Sequence, residues 1–249
     1  MVSVVLAGST GLVVSSHEQC RINPSILTST IAKQGSNILS ILTASPQIHH
    51  IHAFARKSLT LSDKIHPLSS PDSKAWPTLY PTTSPAPSIF ISALGTTRGQ
   101  AGSVAAQREI DYDLNLALAK KAKEAGTKTY VLISSGGASS SSMLAYPKMK
   151  GELEDAVTEL GFDRTVIIRP GLIVGTREDS RPPEAALRKL ANFMGSVSGG
   201  ALKDFWAQDA EVIARAAVSA ALQAEQREGK VWMIGQSDVL RLGRTEWKA

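Results

Sequence analysis

An apolar run that meets glycine almost at once governs what this chain can fold into. Val2-Ser3-Val4-Val5-Leu6-Ala7 leads directly into Gly8-Ser9-Thr10-Gly11-Leu12-Val13. The run has the length and β-branched content of a strand buried on both faces. A glycine turn at the end of such a strand is the signature of a dinucleotide phosphate site. Gly8 and Gly11 supply the tight turn and close backbone approach, and the N-terminus of the next helix holds the pyrophosphate. A full Gly-x-x-Gly-x-x-Gly loop needs a third glycine at position 14, but position 14 is Val and the next glycine is Gly35.

The intervening stretch, residues 14–34, has no clear helical period and occupies the place of a short turn. Joining Val13 to Gly35 restores the three-glycine spacing. It also brings the loop straight into an apolar-periodic helix carried by Ile38, Leu39, Ile41 and Leu42. The coding logic agrees. Val14-Ser15 can be encoded GTAAGT, a splice donor; Leu27-Thr28 can encode a CTNAC branch sequence; Gln34 can end in CAG, an acceptor. Residues 14–34 therefore read as a foreign insertion, a retained in-frame intron. The alternative is a genuine surface insertion, which loops tolerate thermodynamically.

The remaining chain alternates strands and helices. Strands are expected at His49–Ala55, Ser88–Leu94, Thr129–Ser134, Arg164–Arg169 and Lys230–Ile234, with irregular connections over 58–87 around a short strand or turn near Lys64–Leu68. Helices are expected at 35–45, Ser103–Gly126, Tyr146–Leu160, Pro183–Phe193 and Gln208–Ala224, with a Gly/Ser turn at Gly195–Gly200. This alternation predicts an α/β fold, a Rossmann-type doubly wound parallel sheet in a single domain spanning 1–249. The substrate region is expected mainly from 171–249. The 249-residue length suits one such domain.

Composition narrows the function classes. No apolar run approaches the roughly 18 residues of a membrane span. The single Cys20 excludes an internal disulfide framework and, with scattered histidines, gives no zinc-like spacing. A net charge of +5 favours anionic partners. Basic residues form no long arm and aromatics are sparse, which argues against nucleic acid as partner. A cleaved presequence would remove the glycine loop, so none is expected.

Two further groups carry chemistry. Arg56-Lys57 follows the second strand, with no carboxylate from His49 to Leu61. That strand end reads the adenosine ribose, and an Arg there accommodates a 2′-phosphate, so NADP(H) is the expected cofactor. Tyr146-Pro-Lys-Met-Lys150 places a phenol and an ammonium four residues apart on one helix face. An adjacent ammonium favours the phenolate and tunes Tyr146 as a general acid/base. Lys148, at i+2, points elsewhere. Ser134-Ser135 ends the preceding strand, where a hydroxyl can hydrogen-bond a substrate carbonyl.

Taken together, Thr10-Gly11, Leu94-Gly95-Thr96-Thr97-Arg98, Ser134-Ser135, Tyr146-x-x-x-Lys150-Gly151-Glu152 and Arg169-Pro170-Gly171 resemble the short-chain dehydrogenase/reductase superfamily. Three longer stretches, 110–120, 146–154 and 169–175, are similar to its atypical branch, the fungal FMP-type group of the mitochondrial outer membrane and the related animal Tat-interacting oxidoreductases. The resemblance implies an NADPH-binding oxidoreductase acting on a small carbonyl compound. It implies Tyr146 as proton donor and acceptor, Lys150 as its partner on the nicotinamide ribose, and Ser135 (or Ser134) polarising the substrate. Cofactor contacts are then expected at Gly8, Ser9, Thr10, Gly11, Leu12, Arg56, Leu94, Tyr146, Lys150 and Arg181. The resemblance also implies peripheral attachment to the cytosolic face of the mitochondrial outer membrane; the alternative is a cytoplasmic protein. A second functional reading is an NADPH-binding interaction protein with little or no catalysis, since fold does not fix function.

Overall fold

The computed structural model describes residues 2–9, 30–57, 59, 62–174 and 207–247. In chain order the elements are β1 (Val2–Ala7), α1 (Thr30–Ala44), β2 (Ile48–Ala55), β3 (Ile65–Ser69), a 3-10 segment (Ser73–Leu79) and β4 (Ile89–Ser92). Then come α2 (Arg98–Ala101), α3 (Val104–Arg108), a π-helical turn (Glu109–Leu114), α4 (Asn115–Glu124), β5 (Thr129–Ile133), α5 (Ala145–Glu159) and β6 (Arg164–Ile168). The chain continues with β7 (Leu172–Val174), β8 (Ala207–Asp209), α6 (Ala210–Gln223), β9 (Val231–Ile234) and α7 (Gln236–Leu240), which runs into a second π turn (Arg241–Thr245).

Seven strands form one sheet in the order β3-β2-β1-β4-β5-β6-β9, every pair parallel. The opening strand is central, and Val4–Ala7 are buried without exposed surface. Alternation along it divides the core in two. Val4 and Leu6 face α1 and α6 together with Ile38, Leu42, Ile213 and Ala217. Val5 and Ala7 face the other side with Phe54, Phe90, Leu118 and Tyr130. On that second face Trp76, Phe54, Tyr80, Phe90, Tyr130 and Phe162 run across the sheet as an aromatic row, with successive ring centroids 5.2–6.3 Å apart. Such offset and edge-to-face pairs add about 0.5–1.5 kcal/mol each beyond the area they bury. The doubly wound parallel sheet expected from the strand–helix alternation is the fold found.

Several details differ from the sequence expectation. Helix α1 begins at Thr30, so residues 30–34 of the stretch read as foreign form its first turn. The long helix expected over Ser103–Gly126 is broken by the π turn at Glu109–Leu114, because hydrogen-bond register is not encoded in the spacing of apolar residues. Gly126, at φ +90°, ends α4 as expected. Gln208 belongs to β8 rather than to the helix that follows, because residues 207–209 pair in parallel with 172–174 in a separate two-stranded sheet. The segment after β9 turns helical at Gln236. The helix expected at Pro183–Phe193 and the turn at Gly195–Gly200 lie outside the described residues. No helix among the described residues is long and apolar enough to cross a membrane.

Candidate active site

Strand order reverses direction at β1: the chain moves outward to β2 and β3, then returns to β4 on the other flank. Open parallel sheets bind ligands in the crevice at that switch point, beyond the carboxyl ends of the strands. Gly8 lies at the end of β1 with φ +93°, and a Cβ there would be 2.6 Å from the Ala93 carbonyl oxygen. Only glycine meets both conditions. Ser9 is buried and its Oγ donates to the Phe54 carbonyl at 2.7 Å, tying the turn to β2. Leu94, at the end of β4, is buried beside it.

Gly35 packs directly on this turn. A Cβ on Gly35 would fall 1.8 Å from the Gly8 carbonyl oxygen. That is the close helix–strand packing assigned to the third glycine of a dinucleotide loop. Gly35→Ala is accordingly expected to cost about 1–3 kcal/mol, the usual penalty of overpacking, read as a drop in melting temperature; an unchanged melting temperature would contradict the contact. The residue before it is less at home. Gln34 is 2 % exposed and its Nε2 has no hydrogen-bond partner. Among the other expected cofactor contacts, Thr10, Gly11, Leu12 and Arg181 lie outside the described residues. Arg56 follows β2 directly and is half-buried, which pulls its guanidinium below the usual arginine value while leaving it charged.

The opposite half of the crevice is built on α5. Tyr146 stands at its first turn, 37 % exposed, and Lys150 lies one turn on, 3 % exposed. Lys148 points to solvent, as the i+2 spacing requires. Lys150 is held by Asp111, whose carboxylate lies 3.8 Å from Nζ and has no exposure. Burial alone pushes Lys150 down, but the charges of Asp111, Tyr146 and Glu154 outweigh it and keep its pKa above the ordinary lysine value. Burial raises Asp111 as well, against the pull of Lys150 and the Thr96 amide. Thr96 N donates to Asp111 Oδ1 at 2.6 Å, and Gln107 Nε2 donates to the Thr96 carbonyl at 3.0 Å. The loop after β4 is thereby locked to the π turn.

The two serines separate. Ser134 is buried and its hydroxyl is committed to Glu154, which also carries Arg169 through two Nε contacts at 3.1 Å. The hydrogen bonds that Arg169 donates to Glu154 raise Arg169 above its usual value and outweigh desolvation. Ser135 is less buried, and its Oγ makes a long hydrogen bond to the Gly136 carbonyl at 3.3 Å. Of the two hydroxyls, that of Ser135 is the one not committed to another side chain. The serine loop itself is pinned: Ser139 N donates to the Pro147 carbonyl at 3.0 Å, and a Cβ on Gly151 would lie 2.1 Å from Ser140 N.

Sequence reasoning missed Asp111 and Glu154. A signal existed for the first: Asp111, Asn115, Leu118 and Ala122 recur at helical spacing, which puts a carboxylate on the buried stripe. A groove of about 830 Å³ lined by Ile41, Val218, Leu222 and Trp247 shares no residue with this site.

Residues 85–197 match the HIM1 family. The chain is 45% identical over 253 residues to "Protein fmp52, mitochondrial" of Aspergillus clavatus, covering 98% of this chain and 99% of that protein. It is 41% identical over 255 residues to "Protein fmp-52, mitochondrial" of Neurospora crassa, covering 99% and 97% respectively. Among solved structures it is similar to the Bordetella bronchiseptica enzyme WbmH in complex with NAD+, at TM-score 0.59 and 13% identity, covering 94% of this chain and 75% of that one. It is also similar to the UDP-glucose 4-epimerase of Thermotoga maritima, at TM-score 0.57 and 13% identity, covering 100% and 84%. At such identities these structures bear on the fold alone.

Proposed function

Because the chain belongs to the fungal FMP52 family, a set of atypical short-chain dehydrogenases/reductases, we propose that it is an NADPH-dependent oxidoreductase reducing a small carbonyl compound. One observation carries this reading: Lys150, buried and charged against Asp111, stands one helical turn behind a half-exposed Tyr146, and Asp111 in turn holds the loop that follows β4 of the parallel sheet. A dinucleotide fits the residues present, since Gly8 and Gly35 let the turn after β1 and helix α1 meet backbone to backbone, an approach any Cβ would prevent. Gly8, Ser9 and Leu94 line the adenine-side turn, with Thr10, Gly11, Leu12 and Arg181 completing the set in sequence. Lys150 would hold the nicotinamide ribose. That solved neighbours are complexes with NAD supports a nicotinamide dinucleotide; Arg56 supports its 2′-phosphorylated form.

When bound, a reduced nicotinamide supplies the hydride for the carbonyl carbon. Ser135 hydrogen-bonds the carbonyl oxygen and polarises it. Tyr146 donates its phenolic proton to that oxygen, giving the alcohol, and the phenolate regains a proton from solvent. Lys150 stabilises the phenolate in the interval. Arg56→Ala is expected to weaken NADPH about tenfold, or about 1.4 kcal/mol, and to leave NADH unchanged in a fluorescence titration. Equal losses for both would remove Arg56 from the 2′-phosphate.

The mitochondrial names of the relatives support a mitochondrial location, and peripheral attachment to the cytosolic face of the outer membrane is the finer form of that reading. We also propose that residues 14–34 are a retained intron. Counting back from Gly35, removal of the segment puts Val13 where the unpartnered Gln34 is buried, and Gly11 two residues before it.

A further inference from the structure

We propose that His50, His52 and His66 form a proton-sensitive clasp at the rim of the sheet: near neutral pH they hold the edge strand β3 on β2, and in acid they let it go. The consequence for the cofactor rests on the reading of Arg56 as the 2′-phosphate residue, because Arg56 stands where the β2–β3 ladder ends.

The strand period of two puts His50 and His52 on one face of β2, and the parallel register sets His66 of β3 beside His52. His50 Nδ1 lies 3.0 Å from His66 Nε2. The His66 ring centroid is 5.2 Å from that of His50 and 5.1 Å from that of His52. An imidazole–imidazole hydrogen bond needs one ring nitrogen without a proton, so the His50–His66 bond exists only while one of the two rings is neutral. Among the described residues no three His, Cys, Asp or Glu side chains are placed to hold a metal ion; what these nitrogens can take up is the proton. Little else keeps β3 in place. It is the outermost strand, its His66 and Ser69 are exposed, and Pro67 has no backbone N–H to donate. Its ladder is bracketed by Ile51 N donating to the Lys64 carbonyl at 2.8 Å and Ser70 N donating to the Ala55 carbonyl at 3.1 Å. Arg56 is the next residue, so release of β3 frees the backbone that carries its guanidinium.

Among the described residues no carboxylate is paired with the cluster. Burial pulls the half-buried His52 below the usual imidazole value, and the charges of His66 and His50 pull it further. On the inner side of β2, β1 sets Ser3 and Val5 opposite His50 and His52, with no charge. Lys64, just before β3, gives its Nζ to the Thr43 and Ser45 carbonyls at 3.1 and 2.9 Å. In the 3-10 segment Asp72 accepts from Lys74 N at 2.9 Å, and Lys74 pairs with Glu109 at 3.3 Å. His49 alternates to the other face of β2, and Asp63 is exposed. The sign follows from His52, which binds its proton more weakly in the folded chain than in the unfolded one. The edge therefore has its full stability above the ordinary imidazole value near 6.5 and loses it as the pH falls below.

Amide hydrogen exchange of the full chain tests this at Ile51 and Ser70, with the β1 amides as internal reference. It is followed by NMR at about pH 7.5 and about pH 5.5, either side of the imidazole range, and corrected for intrinsic exchange. At the lower pH, protection of the two amides is expected to fall about tenfold relative to β1, the factor that goes with one pKa unit. His66→Gln keeps a neutral polar side chain at an exposed position, and there the ratio is expected to stay level. His50→Gln removes the same bond from the other strand, is expected to reduce the change, and serves if His66→Gln does not fold. A wild-type ratio that does not move, or one that falls as far in both variants, overturns the proposal. The effect on the cofactor is read separately, by NADPH titration at the same two pH values, where ionisation of the cofactor's own phosphate is common to all the proteins. Wild type is expected to lose more affinity than His66→Gln. If exchange behaves as stated and NADPH affinity falls alike in both, the clasp stands and the reading of Arg56 falls. If the wild-type exchange ratio stays level while Arg56→Ala selectively weakens NADPH, the clasp falls and the reading of Arg56 stands.

Discussion

Deleting residues 14–34 is expected to tighten NADPH binding at least tenfold, about 1.4 kcal/mol, and to stabilise the fold. The stability gain has a local source. Gln34 is buried with an unpartnered amide nitrogen, and an orphaned buried donor costs about 1–3 kcal/mol. In the shortened chain Val13 takes that position, and an apolar side chain has no donor to orphan. The affinity gain comes from the glycines. Gly8 and Gly35 are already in contact, so five residues, Ser9 to Val13, would bridge them in little more than one helical turn of 3.6 residues. That places Gly11 at the helix N-terminus, where backbone N–H groups and the dipole hold a phosphate. Titration of both chains with NADPH, alongside thermal melts, checks the two effects together. Equal affinities would defeat the restored loop, and a mature transcript carrying the segment would defeat the intron.

The second large effect is expected at Tyr146. Replacing it with Phe removes the proton donor and should lower turnover by about 10²–10⁴-fold, the usual worth of general acid–base catalysis. NADPH affinity should survive, because the ring and the helix remain. Lys150→Ala should instead lose turnover and weaken the cofactor together, since in the proposed mechanism one ammonium serves both the phenol and the ribose. It also strands Asp111, whose carboxylate has no exposure, so a fall in stability is expected as well. Steady-state kinetics with NADPH titrations separates the two variants. A Tyr146→Phe enzyme that turns over normally would favour the interaction-protein reading.

How much of this was legible in the sequence follows from what periodicity encodes. β1, β5 and β6 could be read because strands covered on both faces carry continuous apolar runs, here Val4–Ala7, Tyr130–Ile133 and Val166–Ile168. Tyr146 and Lys150 could be read because the i, i+4 spacing alone puts them on one face. The glycine pairing was legible only by skipping residues 14–34, which interrupt the pattern rather than belong to it. The π turn was not legible: an i→i+5 hydrogen bond leaves no mark on the spacing of Ile110, Leu114 and Leu118. The pairing of β7 with β8 was not legible either, because two three-residue segments far apart in sequence carry too few side chains to declare a partner. The choice between Ser134 and Ser135 needed coordinates, since it depends on which hydroxyl Glu154 claims.

Gly151 has a wider consequence. The backbone of Ser139 and Ser140 occupies the space a side chain would need there, and Ser139 is tied back to Pro147. The loop bearing Ser135 and the helix bearing Tyr146 therefore form one body. On the proposed roles, the spacing between the Ser135 hydroxyl and the Tyr146 phenol is set when the chain folds, before any ligand arrives. In the proposed reductase, adaptation to different substrates would then come from elsewhere around the crevice, with this edge as a fixed gauge against which a carbonyl is measured.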